Sequence, residues 1–375
     1  MRHISRKILW VLLVFALVGC SPKEGTVTGS SKQEAVTTIE KEEKKQETQA
    51  DQTEEGKEDN PENSDQMTEA SLEVIYPVTV TDQLGREVVI EKEPKTLVSG
   101  YYISSSLLIA LGQEEKLVGI EKGADKRNIY SLSAPELCQL PSMGSAKEFN
   151  LEGCAALNPD LVILPFKLKD VEAALEELQI PVLFVKPENQ ELLEETVELL
   201  ATATNSKEQG AKLLTMISQK SEEMLEKIQG CEETKVYISG NSDFLTTAGA
   251  QMYQNSLIEK AGGENVAKEI TESSWAEISY EQLLVWDPDY IILAADAKFT
   301  VDEIMADENL AECSAVKNGH VYHMPNEIES WDSPVPGSVL GSLWLASVLH
   351  PQEYTVEMYE NAVEQFYSTF YGFTP

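Results

Sequence analysis

Residues 205–228 read NSKEQGAKLLTMISQKSEEMLEKI, and the rest of the folded sequence is arranged around this stretch. It contains no proline, and Leu213, Ile217, Met224 and Ile228 recur at helical spacing. A helix of this length is about 36 Å long, enough to span a domain. The spacing therefore predicts one long helix with folded sequence on both sides of it.

Short apolar runs alternate with amphipathic segments on both sides of this helix. The runs predict strands at Thr96–Ser99, Leu117–Ile120, Leu161–Leu164, Val182–Val185, Lys235–Ile238, Tyr290–Leu293 and His320–His323. The amphipathic segments predict helices at Val171–Leu178, Leu192–Ala203, Met252–Ala261, Glu281–Val285 and Val339–Leu349. Because strands that alternate with helices form parallel sheets, the fold class is predicted to be α/β.

One motif occurs twice, once on each side of the long helix. Residues 150–163, NLEGCAALNPDLVI, align with residues 279–292, SYEQLLVWDPDYII. Each copy predicts a short helix that carries a glutamate. The helix ends at Asn/Asp-Pro-Asp, and a buried strand follows. Two copies flanking one helix indicate two related lobes.

The first 75 residues are predicted to be a leader and a tether. Arg2, Arg6 and Lys7 precede the apolar run Ile8–Val18, which is too short to span a bilayer and is typical of a secretory signal. The run ends at Leu-Val-Gly-Cys20, which resembles a bacterial lipobox, so residues 1–19 are expected to be removed and Cys20 to be lipidated. Residues 20–75 lack aromatic side chains and are strongly acidic, which predicts a disordered tether. The protein is thus expected on the extracytoplasmic face of the bacterial cell membrane.

The composition excludes several functions. The chain of 375 residues has 29 Lys+Arg against 64 Asp+Glu, a formal net charge of −35, which argues against nucleic-acid binding. Its five cysteines form no CxxC pair, which disfavours a zinc ribbon or an iron–sulfur site. Cys138, Cys154, Cys231 and Cys313 are compatible with disulfides in an oxidising compartment or with buried thiols.

Several segments in a fixed order resemble the helix-linked class of ABC-importer substrate-binding proteins, which bind ferric siderophores, haem and cobalamin. Besides the two copies of the repeat, they are VTDQLGREV at 80–88, AGGENV at 261–266, WAEISYE at 275–281, VKNGHVY at 316–322 and WDSPVPGSVLGSLWLA at 331–346. The resemblance covers residues 76 to about 351.

The resemblance implies two Rossmann-like lobes with central sheets, joined by one long rigid helix, with a ligand cleft between them. The corresponding domains are an N-terminal lobe at 76–204, an interlobe helix at 205–229, and a C-terminal lobe with closing helices at 230–375. It further implies a monomer without a cofactor of its own, which takes up a metal-organic ligand and delivers it to an ABC permease and its ATPase.

Two other functions are weighed against this one. A capture protein for bare Zn²⁺ or Mn²⁺ is suggested by His320 and His323, but residues three apart on a strand face opposite sides, so no metal site is predicted there. A surface-anchored enzyme is disfavoured because the sequence has no GxSxG, HExxH or P-loop motif, and no catalytic residue is predicted.

The ligand-contact residues are predicted from loops. Tyr101 and Tyr102 follow the first strand of the N-terminal lobe, and Phe166 follows the strand Leu161–Leu164. Trp275 and Trp331 lie in polar loops of the second lobe. Such aromatic side chains offer broad apolar faces to a large ligand, or else they pack in the core.

Charged residues complete the predicted sites. Arg127, part of a rare basic pair, is a candidate for contacting an anionic ligand, with a solvated surface role as the alternative. By resemblance, Glu152 and Glu281 dock the protein on its permease. Their recurrence at the same place in both copies of the repeat supports this role, although a glutamate also favours a helix start.

Overall fold

Two four-stranded parallel sheets form, one on each side of the long helix. The structure is a computed structural model that describes residues 73–271 and 275–375. The predicted leader, Cys20 and most of the predicted tether lie outside the described residues. No helix within the described ranges is long and apolar enough to cross a membrane.

The described strands are short and strongly buried in the sheet centres. Their bounds are β1 (Val78–Thr81), β2 (Glu87–Ile90), β3 (Leu97–Ser99), β4 (Leu117–Gly119), β5 (Gly144–Ser145), β6 (Glu148–Phe149), β7 (Leu161–Pro165), β8 (Val182–Val185), β9 (Thr234–Ile238), β10 (Thr246–Thr247), β11 (Gly263–Asn265), β12 (Ala276–Glu277), β13 (Tyr290–Leu293) and β14 (Val321–His323). The sheet of the N-terminal lobe has the order β4-β3-β7-β8, and that of the C-terminal lobe the order β11-β9-β13-β14. The predicted α/β class is confirmed.

Helices cover the sheets and connect the strands. Their bounds are α1 (Tyr102–Ala110), α2 (Asn128–Ser133), α3 (Leu151–Leu157), α4 (Glu172–Glu177), α5 (Gln190–Thr204), α6 (Lys207–Ile228), α7 (Tyr253–Lys260), α8 (Tyr280–Trp286), α9 (Val301–Met305), α10 (Ser314–Asn318), α11 (Ser338–Leu349) and α12 (Val356–Phe370). Strands β1 and β2 pair as the antiparallel hairpin that residues 78–90 indicate.

Helix α6 contacts both lobes along its buried face. Near its start, Gly210 lies against α5, where an added Cβ would come within 2.7 Å of the Cβ of Ala201. At its end, Ile228 lies against Gly262 of the C-terminal lobe. The helix starts two residues later than predicted, because Asn205 adopts a left-handed conformation (φ 59°) that ends α5.

The two copies of the repeat share their backbone geometry. Asn158 and Asp287 both have φ 44° and end α3 and α8 in the left-handed conformation. The aspartate two residues later then joins neighbouring strands: Asp160 accepts from the backbone of Thr96 at 3.1 Å, and Asp289 from that of Lys235 at 3.0 Å. The repeated sequence thus sets the same strand register in each lobe.

Replacing Asp160 by Asn is expected to destabilise the N-terminal lobe in a pH-dependent way. Burial acts to raise the pKa of Asp160, but hydrogen bonds from Lys92, Lys95 and Thr96 outweigh it and lower the pKa to about 2. Because the carboxylate pKa is lower in the folded state, its stabilisation is present above about pH 4 and is lost as the pH falls towards about 2.

Urea unfolding of Asp160→Asn should therefore show a free energy of unfolding about 1–3 kcal/mol below wild type at pH 7. The difference should shrink below about pH 4. Asp170→Asn, which changes an exposed aspartate, is the control and should behave as wild type. Equal stability of Asp160→Asn and wild type at pH 7 would contradict the assignment.

Candidate functional site

The carboxyl ends of strands from both sheets meet at one cleft. On the N-terminal side, Tyr101 follows β3, Phe166 follows β7 and Lys186 follows β8. On the C-terminal side, loops after β9, β13 and β14 bring Asn241, Asp296 and Asn326 to the same cleft, in the order of their strands. Ligands of open α/β sheets bind at this edge, which makes the cleft the candidate site.

The cleft contains two chambers that share Tyr102 as a wall. The aromatic chamber has a volume of about 250 Å³ and includes Tyr101, Phe166, Lys167, Lys186, Met252 and Tyr253 among its lining residues. The polar chamber has a volume of about 330 Å³ and includes Lys126, Arg127, Asn241, Asp296, Asn326 and Glu329. The site is therefore mainly aromatic at one end and hydrogen-bonding and charged at the other. Its N-terminal wall carries four cations, of which Lys186 is paired with Glu188 at 3.1 Å.

The aromatic chamber combines ring faces with ammonium groups. The rings of Tyr101 and Tyr102 pack edge to face with centroids 5.2 Å apart. The ammonium groups of Lys186 and Lys167 lie 5.2 and 5.8 Å from the centroid of the Phe166 ring. Tyr101 lines this chamber as a neutral phenol, and burial raises its pKa further above neutral pH.

The polar chamber is built around Arg127, which precedes α2. Its Nε donates to Oε1 of Glu121 at 3.1 Å, and its guanidinium carbon lies 4.2 Å from the centroid of the Tyr102 ring. On the opposite wall, Ser330 donates to Asp296 at 2.9 Å. This chamber thus offers both a fixed cation and hydrogen-bond acceptors to a ligand.

Several hydrogen bonds cross from lobe to lobe beside the polar chamber. The hydroxyl of Ser106 on α1 donates to Glu329 at 2.5 Å, and the side chain of Asn128 donates to the carbonyl oxygen of Glu327 at 2.9 Å. Burial raises the pKa of Glu329 to about 7, although hydroxyl donors from Ser106 and Tyr367 oppose the shift. These bonds hold the two walls of the cleft together.

A larger groove on the N-terminal lobe is a weaker candidate. It has a volume of about 470 Å³ and is lined by Lys92, Asp160 and Gln179 among others. Asp160 precedes β7 in the chain, so the groove lies at the amino ends of the strands, on one lobe alone. It brings together none of the predicted ligand-contact residues.

The two tryptophans do not line either chamber. Trp331 is only 4% exposed and donates from Nε1 to the hydroxyl of Tyr367 on α12 at 2.8 Å, so its indole is part of the core. Trp275 is 37% exposed and lies against Gly240, whose added Cβ would come within 3.4 Å of the ring. The cleft therefore brings together Tyr101, Tyr102, Phe166 and Arg127, but not the tryptophans.

Glu152 and Glu281 are both exposed, each in the first turn of a short helix. Asn150 caps the helix of Glu152 by accepting from Gly153 at 2.9 Å, and Ser279 caps that of Glu281 by accepting from Gln282 at 3.2 Å. A backbone hydrogen bond and one from Ser279 lower the pKa of Glu281. Each carboxylate is thus available to a partner at an equivalent position of its lobe.

Candidate metal ligands and cysteines do not cluster. Across residues 73–271 and 275–375, no group of three or more His, Cys, Asp or Glu side chains could hold a metal ion. His320 instead stacks on Tyr290, with ring centroids 4.5 Å apart. Cys138, Cys154, Cys231 and Cys313 are free thiols, of which Cys154 and Cys313 are buried.

Several cleft residues were missed by the sequence interpretation. Lys186 directly follows a predicted strand, so the rule that found Phe166 would also have found it. Asp296 and Asn326 lie three residues beyond β13 and β14, and the same rule extended over a short loop reaches them. Met252 and Tyr253, at the start of α7, carry no such signal.

Comparison with known proteins agrees with this geometry. The periplasmic binding protein family model matches residues 97–328, more than half of the chain. The molybdate-binding protein MolA of Haemophilus influenzae is 25% identical over 332 residues, which cover 81% of this chain and 94% of MolA. The solved structure of MolA bound to molybdate has a TM-score of 0.70 and covers 80% of this chain and 99% of MolA.

Two further relatives extend the range of solutes. The ABC transporter substrate-binding lipoprotein YvrC of Bacillus subtilis is 24% identical and covers 69% of this chain and 82% of its own length. The vitamin B12-binding protein of Pectobacterium atrosepticum is 25% identical over 53% of this chain and 71% of its own length. MolA and YvrC are named as binding proteins of ABC transporters, and none of these relatives is an enzyme. The chain belongs to the periplasmic binding protein family and is an extracytoplasmic solute-binding protein of an ABC transporter.

Proposed function

We propose that the protein captures a metal-organic solute, an iron chelate or haem ahead of a corrinoid, and delivers it to the permease. The observation that supports this most directly is the pairing of an aromatic chamber with a cationic wall in one interlobe cleft. Aromatic faces stack on the flat organic part of a chelate, and cations balance its negative charge.

The sizes of the chambers favour the smaller members of this ligand class. Ligand pockets usually measure about 300–1,000 Å³, and each chamber here is at or below the lower end of that range. An iron chelate or haem that spans both chambers would contact Tyr102, which lines each of them. A corrinoid, the bulkiest of the three, requires a larger separation of the lobes.

A small oxyanion such as molybdate is a second candidate. It is supported by the polar chamber, where Arg127 and Lys126 stand among asparagine and serine side chains. The similarity to MolA points in the same direction. Such a ligand would use the polar chamber alone and leave Phe166 without a role.

Delivery is proposed to use Glu152 and Glu281 as paired docking points for cations on the permease, with the protein acting as a monomer beside the permease and its ATPase. Both side chains are exposed and lie on the two copies of one repeat, one on each lobe. Lipidation at Cys20 would hold the protein at the membrane.

Truncating Phe166 should separate the two ligand candidates. Phe166→Ala is expected to weaken binding of an iron chelate or haem by about 1–3 kcal/mol, because a stacked aromatic face is lost, and to leave molybdate binding unchanged. Titrations of the purified protein with haem, ferric siderophores, cobalamin and molybdate provide the measurement. Leu178→Ala, an exposed apolar residue outside both chambers, is the control. High affinity for molybdate alone would rule out the chelate assignment.

Reversing both docking charges should abolish uptake. Partly desolvated charge pairs across an interface cost about 2–5 kcal/mol when one partner is removed, so Glu152→Lys with Glu281→Lys should block delivery without changing ligand affinity. Cellular uptake of labelled ligand and the dissociation constant of the purified variant are to be compared. The matched control reverses Glu177 and Glu360, two exposed helical glutamates. Normal uptake by the first double variant would refute the docking role.

Lipidation is tested by Cys20→Ala. Diacylglyceryl transfer requires the thiol, and multiple acyl chains anchor a protein far more firmly than a single chain does. The variant is expected in the medium or periplasm, and mass spectrometry of the wild type should find a lipid-modified Cys20. An unmodified mature N-terminus in the wild type would end this assignment.

A further inference from the structure

Arg127 is bound to the protein through Nε, and its two terminal amino groups are left unpaired in the part of the chain that the structure describes. The single Nε donates to Glu121 at 3.1 Å, and the flat guanidinium lies 4.2 Å from the centroid of the Tyr102 ring. Within residues 73–271 and 275–375, neither Nη1 nor Nη2 has a hydrogen-bond partner. A guanidinium has five N–H donors, so four are left for a ligand in the polar chamber, which Arg127 lines.

Glu121 is itself fixed from three directions. It is 5% exposed, and its Oε2 accepts from Ser105 on α1 at 2.6 Å. Its Oε1 accepts from Tyr130 on α2 at 2.9 Å, in addition to Arg127. A carboxylate held by two helices does not swing with the arginine, so the Nε hydrogen bond sets the plane and direction of the guanidinium.

We infer that Arg127 is a pre-oriented receptor for a pair of anionic oxygen atoms on the ligand, and that Glu121 is the residue that positions it. This inference deepens the proposed function and rests on it. A guanidinium edge with two free amino groups matches a planar oxygen pair through two parallel hydrogen bonds. Because the long side chain of Arg127 is already ordered in the ligand-free protein, ligand binding loses little further side-chain entropy.

The opposite wall restricts the ligand further. Asp296 and Glu329 line the same chamber, yet no ion pair joins either of them to Arg127 among the described residues. A solute with an anionic oxygen pair on one side and hydrogen-bond donors, such as hydroxyls or metal-bound waters, on the other would contact both walls. A bare oxyanion would be held by the cationic wall alone.

Two sources supply such an oxygen pair, and binding measurements distinguish them. One is the free carboxylate edge of a metal chelate, for which ferric citrate is the probe. The other is a free oxyanion, for which molybdate is the probe. Ferrioxamine B, whose hydroxamate oxygens are all engaged by iron, serves as the probe without a free anionic pair.

The first experiment compares wild type, Arg127→Lys and the control Lys122→Gln by isothermal titration. Lysine keeps the charge but has no fork, so Arg127→Lys should weaken the anionic probe by about 10-fold or more. The affinity for ferrioxamine B should be unaffected. Lys122→Gln, an exposed lysine outside both chambers, should leave every dissociation constant near wild type.

The second experiment tests whether Glu121 acts through Arg127. Glu121→Gln should weaken the anionic probe severalfold in the wild-type background and have no further effect in an Arg127→Ala background, because coupled residues are not additive. Equal losses in both backgrounds would mean that Glu121 is merely structural. If Glu121→Gln does not fold, Ser105→Ala replaces it, since it removes the 2.6 Å donor to the other carboxylate oxygen.

The outcomes separate this inference from the proposed function. Equal affinity of wild type and Arg127→Lys for ferric citrate or molybdate overturns the inference alone. Wild-type binding of ferrioxamine B without either anionic probe also overturns the inference and leaves the proposed function standing. If haem or cobalamin binds instead, its propionate or phosphodiester oxygens are the anionic pair, and equal affinity of wild type and Arg127→Lys for it overturns the inference alone. Binding of none of these probes, nor of haem or cobalamin, overturns both.

Discussion

The packing of α6 against both lobes is the constraint on which the rest of the structure depends. One hydrophobic core runs from Leu97 in the first sheet through Leu213 and Met224 of α6 to Leu345 of α11. Because both sheets are anchored to the same helix, their strand ends face each other across a cleft of nearly fixed width. A hinge at α6 would expose this shared core, so the protein is expected to bind ligands by small adjustments between lobes and not by wide closure.

The fold was largely predictable because its signals are local. A buried parallel strand is a continuous apolar run, and β8 at Val182–Val185 matches its predicted bounds. The Asn-Pro pair at 158–159 also acts locally, because it ends α3. Helix α1 gave no such signal, because Ser104, Ser105 and Ser106 are buried as fully as the leucines beside them. Its sequence therefore lacks the one-sided pattern by which amphipathic helices are recognised.

The site was predictable only in part, because its composition is set by contacts distant in sequence. Phe166 and Tyr101 were found because the residue after a parallel strand lies at the cleft edge whatever surrounds it. Trp331 follows no such rule, and its indole is buried by Tyr367, which lies on a helix 36 residues further along the chain. Glu121 likewise has no recognisable motif, since its partners come from α1 and α2.

Charge acts differently in the two proposed steps, selection of the ligand and docking on the permease. A net charge of −35 disfavours the approach of an anionic solute, but salt screens this repulsion beyond about 10 Å, whereas Arg127 acts at contact distance. Long-range attraction therefore contributes little to capture of an anion, and selectivity must come from contacts that slow its release. The same acidic surface would favour a basic partner, and the proposed docking residues Glu152 and Glu281 lie at equivalent positions of the two lobes. One charge distribution would thus serve both proposed steps, because the cleft carries Lys126, Arg127, Lys167 and Lys186 while carboxylates outnumber cations over the chain as a whole.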